Sequence, residues 1–172
     1  VRRAIADIEH HDSVETFEAM GCEVILGHAR LTGRHSVEVA GRTLQAPRIV
    51  LATGSRPFVP PIAGIDGVPY LTNETIFEID ARPDHLLIVG GGNIGMEMAQ
   101  AFRRLGSEVT VIEPDAIMGR DDPDCVAVMV EALREEGVRF VHGKAKAVSG
   151  AVGSIRLEVE GAEAVEGTHL LI

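Results

Sequence analysis

The feature that most constrains this chain is the run from His85 to Glu113. Residues 86–89, Leu-Leu-Ile-Val, lead straight into Gly90-x-Gly92-x-x-Gly95. Behind the glycines, Ile94, Met98, Ala101, Phe102 and Leu105 recur at helical spacing, and Gly106 suits a left-handed helix stop. Val109, Val111 and Ile112 supply a second apolar run that ends in the acidic Glu113. Strand, tight glycine turn, helix, strand and then an acid roughly twenty residues on is the order of a dinucleotide-binding unit. Each part has a physical task. Gly90 allows the tight turn, Gly92 lets a pyrophosphate approach the backbone, and Gly95 lets helix and strand pack closely. The helix N-terminus offers unpaired N–H groups and partial positive charge to the phosphates. A G-x-G-x-x-G pattern alone is weak in a chain with 19 glycines. The flanking strands, the helix and the terminal acid make it specific.

Composition narrows the partners. Sixteen basic against 26 acidic side chains give a net charge of −10, which argues against nucleic acid or an anionic membrane. Aromatic residues make up 3% of the chain, so the core must come from Val, Ile, Leu, Ala and Met. No apolar stretch has the length of a membrane span. Cys22 and Cys125 are far apart and form no secreted disulfide framework, so a reducing cytoplasm is the expected compartment and both thiols are expected to be inert. No metal site is expected. The histidines, including the pair His10-His11, lack a second donor at ligand spacing. Asp121-Asp122-x-Asp124 is explained by helix capping.

Taken in order, Val1, Ala4, Ile5 and Ile8 form an amphipathic run. Residues 12–15, Asp-Ser-Val-Glu, are a capping-box pattern, with Phe17 and Met20 on the helix that follows and Gly21 ending it. Strands are expected over residues 23–26, 35–39, 42–45 and 48–52, with a hairpin turn at Gly41. Prolines 57, 60, 61 and 69 make residues 55–69 a stiff, irregular connector, and residues 73–77 suit one helical turn. Beyond Glu113, Asp122-Pro123 opens a helix whose stripe is Val126, Met129, Val130 and Leu133, closed by Gly137. Residues 138–141 are a third parallel strand. Residues 155–159 and 168–172 are expected to form an antiparallel hairpin returning to the sheet, and residues 143–148 fit a strand imperfectly. Val1 is not Met, and Leu170-Leu-Ile172 is apolar like the middle of a buried strand, so the expectation is a segment of a longer protein.

Two separated pieces carry a family likeness. Ala52-Thr-Gly-Ser-Arg-Pro57 with its proline-rich connector, and Ile88-Val-Gly-Gly-Gly-Asn-Ile-Gly-Met-Glu97, resemble the FAD-dependent pyridine nucleotide-disulfide oxidoreductases, such as dihydrolipoamide dehydrogenase and mercuric reductase. Pro69-Tyr-Leu-Thr-Asn-Glu-Thr-Ile-Phe77 is most similar to the mercuric-reductase-like branch. The resemblance implies an α/β, Rossmann-like three-layer FAD/NAD(P)-binding fold with a small antiparallel β-meander. Residues 1–80 would be the rear part of the FAD domain plus connector, and residues 81–172 the NAD(H)-binding domain, truncated at its C-terminus.

The same resemblance assigns roles. Ala29 would meet the FAD adenosine through its backbone, and Thr53 and Gly54 would close the FAD site. Gly90, Gly91, Gly92, Asn93, Ile94 and Gly95 would hold the NAD(P)H pyrophosphate region, Glu113 the adenosine ribose, and Glu97 would stand near nicotinamide and flavin as the catalytic residue. Asn93 stands where many relatives carry a bulkier residue shielding the nicotinamide pocket. The family's flavin fingerprint, its Cys-x4-Cys pair and its histidine-bearing C-terminal domain are absent from the sequence, so the segment alone is expected to show no turnover. The parent would pass hydride from NADH to FAD and on to a small-molecule or protein disulfide, as a homodimer. Two rival readings stay open: a flavin NADH oxidase or ferredoxin-reductase-type enzyme without paired cysteines, and a non-catalytic NAD-sensing module. Glu113, followed by Asp115 and with no basic residue before Arg120, favours NADH over NADPH.

Overall fold

The computed structural model describes residues 2–172, with side chains from residue 3 onward; Val1 of the amphipathic run lies outside the described residues. Two compact units result, one ending at Ser55 and the other spanning Arg56–Ile172.

The first unit opens with helix α1 (Arg2–Glu9), a 3-10 turn (His10–Asp12) and helix α2 (Val14–Ala19). The cap of α2 is Ser13 rather than Asp12: Asp12 is taken into the 3-10 turn, and the first extended residue, Ser13, accepts the Thr16 N–H at 3.3 Å. Gly21, at φ +88°, ends the helical segment as expected. Strands β1 (Arg30–Gly33), β2 (Ser36–Val39) and β3 (Arg42–Gln45) form an antiparallel meander. Its second turn places both Ala40 and Gly41 at positive φ, the backbone that fits the twist of a two-residue hairpin. Strand β1 was not anticipated. Conversely, residues 23–26 and 48–52, expected as strands, join no ladder among the described residues. Leu26, Val50 and Leu51 stay open, at 78%, 86% and 68% exposed, while Val24, Ile25 and Ile49 are half-buried. A strand is stabilised by its neighbours, and these runs have none here.

The second unit is built on a parallel sheet. Strand β4 (His85–Val89), helix α3 (Asn93–Arg104), strand β5 (Glu108–Glu113), helix α4 (Pro123–Glu135) and strand β6 (Arg139–His142) follow in sequence. Strands β7 (Ala145–Ala151), β8 (Ser154–Val159) and β9 (Val165–Gly167) make a separate antiparallel meander, and β10 (His169–Leu171) returns to the parallel sheet in the order β10-β4-β5-β6. The expected hairpin of residues 155–159 with 168–172 therefore does not form. Residues 155–159 pair with β7 and β9, and β10 runs parallel to β4. Residues 143–148, an imperfect strand in sequence, lie largely in β7; the register shift between Ala145 and Ala147 accounts for the irregular alternation.

Three layers follow from the two-residue period of the strands. Leu86, Ile88, Val109, Val111 and Leu171 pack with Met96, Ala99 and Phe102 of α3 and Leu133 of α4. Leu87, Ile112 and Leu170 point the other way, against Val148, Ile155, Leu157 and Val165 of the meander. Both faces of the sheet are thus covered, which explains why its strands are apolar throughout. Ile62, Ile65 and Val68 of the connector join the meander side, and Ala63 is stitched to β7 by two backbone hydrogen bonds, Ala63 N–H to Lys146 O at 2.9 Å and Val148 N–H to Ala63 O at 2.8 Å.

Helix α3 is rotated from its expected stripe, whereas α4 keeps the one expected. In α3 the buried face is Met96, Ala99 and Phe102, while Ile94 and Leu105 are exposed. Both stripes have helical spacing, and contact with the sheet selects between them. Helix α4 keeps Val130 and Leu133 buried, with Val126 and Met129 half-buried. Asp122 caps it, accepting the Asp124 and Cys125 N–H groups at 3.0 and 3.2 Å.

Candidate dinucleotide site

The site lies at the C-terminal end of β4, where the chain must turn from strand to helix within a few residues. Gly90 adopts φ +119° and donates its N–H to Ile112 O at 2.9 Å, tying the turn to β5. Gly92 is the N-cap of α3 and its carbonyl accepts the Met96 N–H. Having no side chain, Gly92 supplies no cap hydrogen bond. The first-turn N–H groups of the helix are therefore left for water or a ligand.

The three glycines differ in their surroundings. A Cβ on Gly95 would strike the Gly90 carbonyl oxygen, whereas one on Gly92 would meet nothing within 4 Å. Gly95 thus allows the close packing of helix on turn, and Gly92 keeps open the approach to the backbone. A cleft of about 380 Å³ lies over them, lined by Gly90, Gly92, Asn93, Ile94 and Gly95 together with Pro57, Phe58, Asn73 and Ile172.

Glu113 ends β5 beside the turn. Its Oε2 accepts the Gly91 N–H at 2.7 Å and its Oε1 accepts the Asp115 N–H at 2.9 Å. A carboxylate has about four acceptor positions, so both oxygens keep capacity for further donors. Gly91 is enclosed: a Cβ there would collide with the Ile117 side chain and press on Glu113. The Met118 N–H, from a residue in the left-handed region at φ +46°, donates to Gly91 O at 2.8 Å. The loop after β5 is thereby pinned onto the glycine turn at two points.

Glu97 is exposed and lines a smaller hollow of about 170 Å³ with Asn93, Met96, Gln100, Met118, Met129 and Leu133. It is not among the residues lining the glycine cleft; Asn93 borders both. Ala29, Thr53 and Gly54 belong to the first unit, where all three are exposed and lie outside any strand or helix, with Gly54 at φ +66°. Cys22 and Cys125 are both exposed free thiols. Among the described residues no group of three His, Cys, Asp or Glu side chains is placed to hold a metal ion, and no helix is long and apolar enough to cross a membrane.

Sequence reasoning located the turn, the helix and Glu113, and it missed the rest of the cleft's lining. Phe58, Asn73 and Ile172 lie distant in sequence from the glycines, and no periodicity links them. The pin through Met118 was equally invisible, because it rests on backbone groups.

Comparison with known proteins agrees with this geometry. The sequence model of the pyridine nucleotide-disulphide oxidoreductases matches residues 4–172. A mercuric reductase of Bacillus cereus is 32% identical over 98% of this chain and 27% of its own length. One from Streptomyces lividans is 37% identical over 88% of this chain and 34% of its own length. Among solved structures, the HOCl-induced flavoprotein disulfide reductase RclA of Escherichia coli superimposes with a TM-score of 0.81 at 28% identity, over 99% of this chain and 40% of that one. The chain thus spans about a third or less of the length of these curated relatives.

Proposed function

Because the chain belongs to the pyridine nucleotide-disulphide oxidoreductase family, we propose that residues 81–172 bind NADH at the glycine cleft and that residues 1–80 supply the rear part of an FAD domain. The observation that carries this reading is the open N-terminus of α3 above a glycine turn whose neighbour, Glu113, is held in place by two backbone N–H groups. The pyrophosphate would lie on the first-turn N–H groups of Asn93, Ile94 and Gly95, with Gly90, Gly91 and Gly92 shaping the turn beneath it. Fit is supported by the space over Gly92, which a side chain would take away.

Glu113 would accept hydrogen bonds from the adenosine ribose hydroxyls with the lone pairs that Gly91 and Asp115 leave free. Charge-assisted bonds of this kind are worth roughly 1.5–3 kcal/mol each. A 2′-phosphate at that place would set its charge against the carboxylate, so NADH is the expected donor. When bound, nicotinamide and flavin supply the hydride chemistry themselves, and the protein supplies placement. Ala29, Thr53 and Gly54 would close the flavin site, and Glu97 would stand at the nicotinamide–flavin junction. The parent enzyme would pass electrons to a disulfide-type acceptor and work as a homodimer.

The deciding measurement is the ratio of dissociation constants for NADH and NADPH in wild type and Glu113→Ala. Wild type should favour NADH by at least about tenfold, equal to roughly 1.4 kcal/mol, and the variant should lose most of that preference. Tighter NADPH binding in wild type, or a preference indifferent to Glu113, would refute the assignment of the ribose-reading residue.

A further inference from the structure

One glycine of the turn is set apart from the others. Gly91 is buried, and it is absent from the lining of the cleft. A Cβ on it would fall on Ile117 Cδ1 and lie 3.1 Å from both Cβ and Cγ of Glu113. The end of the Ile117 side chain and the stem of Glu113 therefore both abut this residue. Its backbone is engaged as well: the N–H goes to Glu113 Oε2 at 2.7 Å, and the carbonyl accepts the Met118 N–H at 2.8 Å. Glu113 Oε1 accepts the Asp115 N–H at 2.9 Å, from the loop that carries Ile117 and Met118. The carboxylate thus takes its orientation from two donors, one on the glycine turn and one on the loop. It keeps both only while loop and turn stay in register. Ile117 and Met118 are half-buried against the helix-side core. Met118 sits at φ +46°, a backbone that residues with side chains rarely adopt, so its surroundings hold the loop in this shape.

We propose that Ile117 is a positioning residue for Glu113. By filling the space beside Gly91 it fixes the spacing of loop and turn at which both oxygens of the carboxylate are held. The preference for a ribose hydroxyl over a 2′-phosphate is then set by Ile117 as well as by Glu113, although Ile117 lines no part of the cleft. A carboxylate held in one orientation offers its remaining lone pairs to hydroxyl donors without first being ordered, and it keeps its charge where a 2′-phosphate would lie. Released from the Gly91 N–H, it turns toward solvent. The hydroxyls then lose a pre-aligned acceptor and the phosphate meets less repulsion. This role rests on the dinucleotide reading above and adds the residue that holds its ribose-reading acid in place.

The test trims Ile117 in steps. Dissociation constants for NADH and NADPH are measured by calorimetry on the 172-residue chain as wild type, Ile117→Val, Ile117→Ala and Ile117→Leu. Ile117→Val removes Cδ1, the atom that meets Gly91, by a change of one methylene that a fold tolerates. It should lower the preference for NADH about threefold, and Ile117→Ala about fivefold, each a part of the worth of one charge-assisted hydrogen bond. Ile117→Leu, which conserves volume and keeps a terminal methyl, should stay within about twofold of wild type. A general disturbance of the unit would weaken both nucleotides alike and leave the preference unchanged. That result, or an equal fall in all three variants, would overturn the role. Wild type that loses its preference in Glu113→Ala but keeps it in Ile117→Val and Ile117→Ala would overturn this role alone. Wild type that binds neither nucleotide, or a preference indifferent to Glu113, would overturn the dinucleotide reading and this role with it.

Discussion

Residues 48–52, Arg-Ile-Val-Leu-Ala, and β4, His-Leu-Leu-Ile-Val, are nearly interchangeable as strand sequences, and their outcomes are opposite. β4 is paired on both sides, by β10 and β5, and Leu86, Leu87 and Ile88 are no more than 1% exposed. Residues 48–52 join no ladder among the described residues, and Val50 and Leu51 are open. The same contrast holds for the units that contain them. In the first unit Val39 is the one buried hydrophobic residue among those described, while the second has a continuous core on each face of its sheet. Strand character in a sequence is therefore a capacity. It becomes structure only where neighbouring strands and a covering layer remove its surface from water.

The strongest way to break this comparison is to truncate matched leucines. Leu87→Ala should destabilise the second unit by about 2–5 kcal/mol, the cost of deleting a fully buried leucine, whereas Leu51→Ala should stay within about 0.5 kcal/mol. Urea titration followed by hydrogen exchange, resolved by segment, would read both. A comparable loss from Leu51→Ala would mean that the first unit hides a core that its exposures do not reveal.

A smaller effect sharpens the comparison inside the second unit. Gly95→Ala forces a methyl onto the Gly90 carbonyl and should cost about 1–3 kcal/mol as overpacking. Gly92→Ala meets nothing within 4 Å and should leave stability almost unchanged while weakening dinucleotide binding. Thermal unfolding alongside NADH titration separates the two outcomes. If Gly92→Ala binds NADH as wild type does, the cofactor does not approach the turn at that position.

The smallest expected effect concerns acid. His85 opens β4, half-buried, with Nε2 2.9 Å from Thr110 Oγ1. Burial pushes its pKa below the ordinary 6.5; the Glu108 carboxylate opposes that shift and Arg139 reinforces it. Thr168 accepts the His85 N–H and donates its hydroxyl to His85 O, and His169 contacts the same hydroxyl at 3.0 Å. Since the unfolded imidazole takes up a proton more readily than the folded one, stability rises with pH across this window. The contribution is complete above about 6.5 and is lost as pH falls toward the folded value. His85→Gln should flatten that acid limb in the second unit by a modest amount, measurable as a smaller fall in melting temperature between neutral and mildly acid pH. An unchanged limb would assign it to other groups.

The local chemistry of the nucleotide unit was legible because it is written in consecutive residues. A strand, Gly90, Gly92 and Gly95, a helix and Glu113 are fixed by short-range sterics, by capping and by the periods of strand and helix. The cap at Asp122 followed from the same rules. Sequence could not decide which of two helical stripes of α3 meets the sheet, because Ile94, Met98 and Leu105 satisfy the period as well as Met96, Ala99 and Phe102 do. Nor could it decide that residues 155–159 pair with β7 and β9 while β10 crosses to the side of β4. Those choices depend on pairing between segments far apart along the chain, where the favourable term is surface jointly removed from water and no single segment carries the information. The same holds at the site. The glycine turn belonged to the sequence, but the joining of Phe58, Asn73 and Ile172 to its cleft, and the pin from Met118 to Gly91, were decided by tertiary structure alone, because they arise only when separate segments meet.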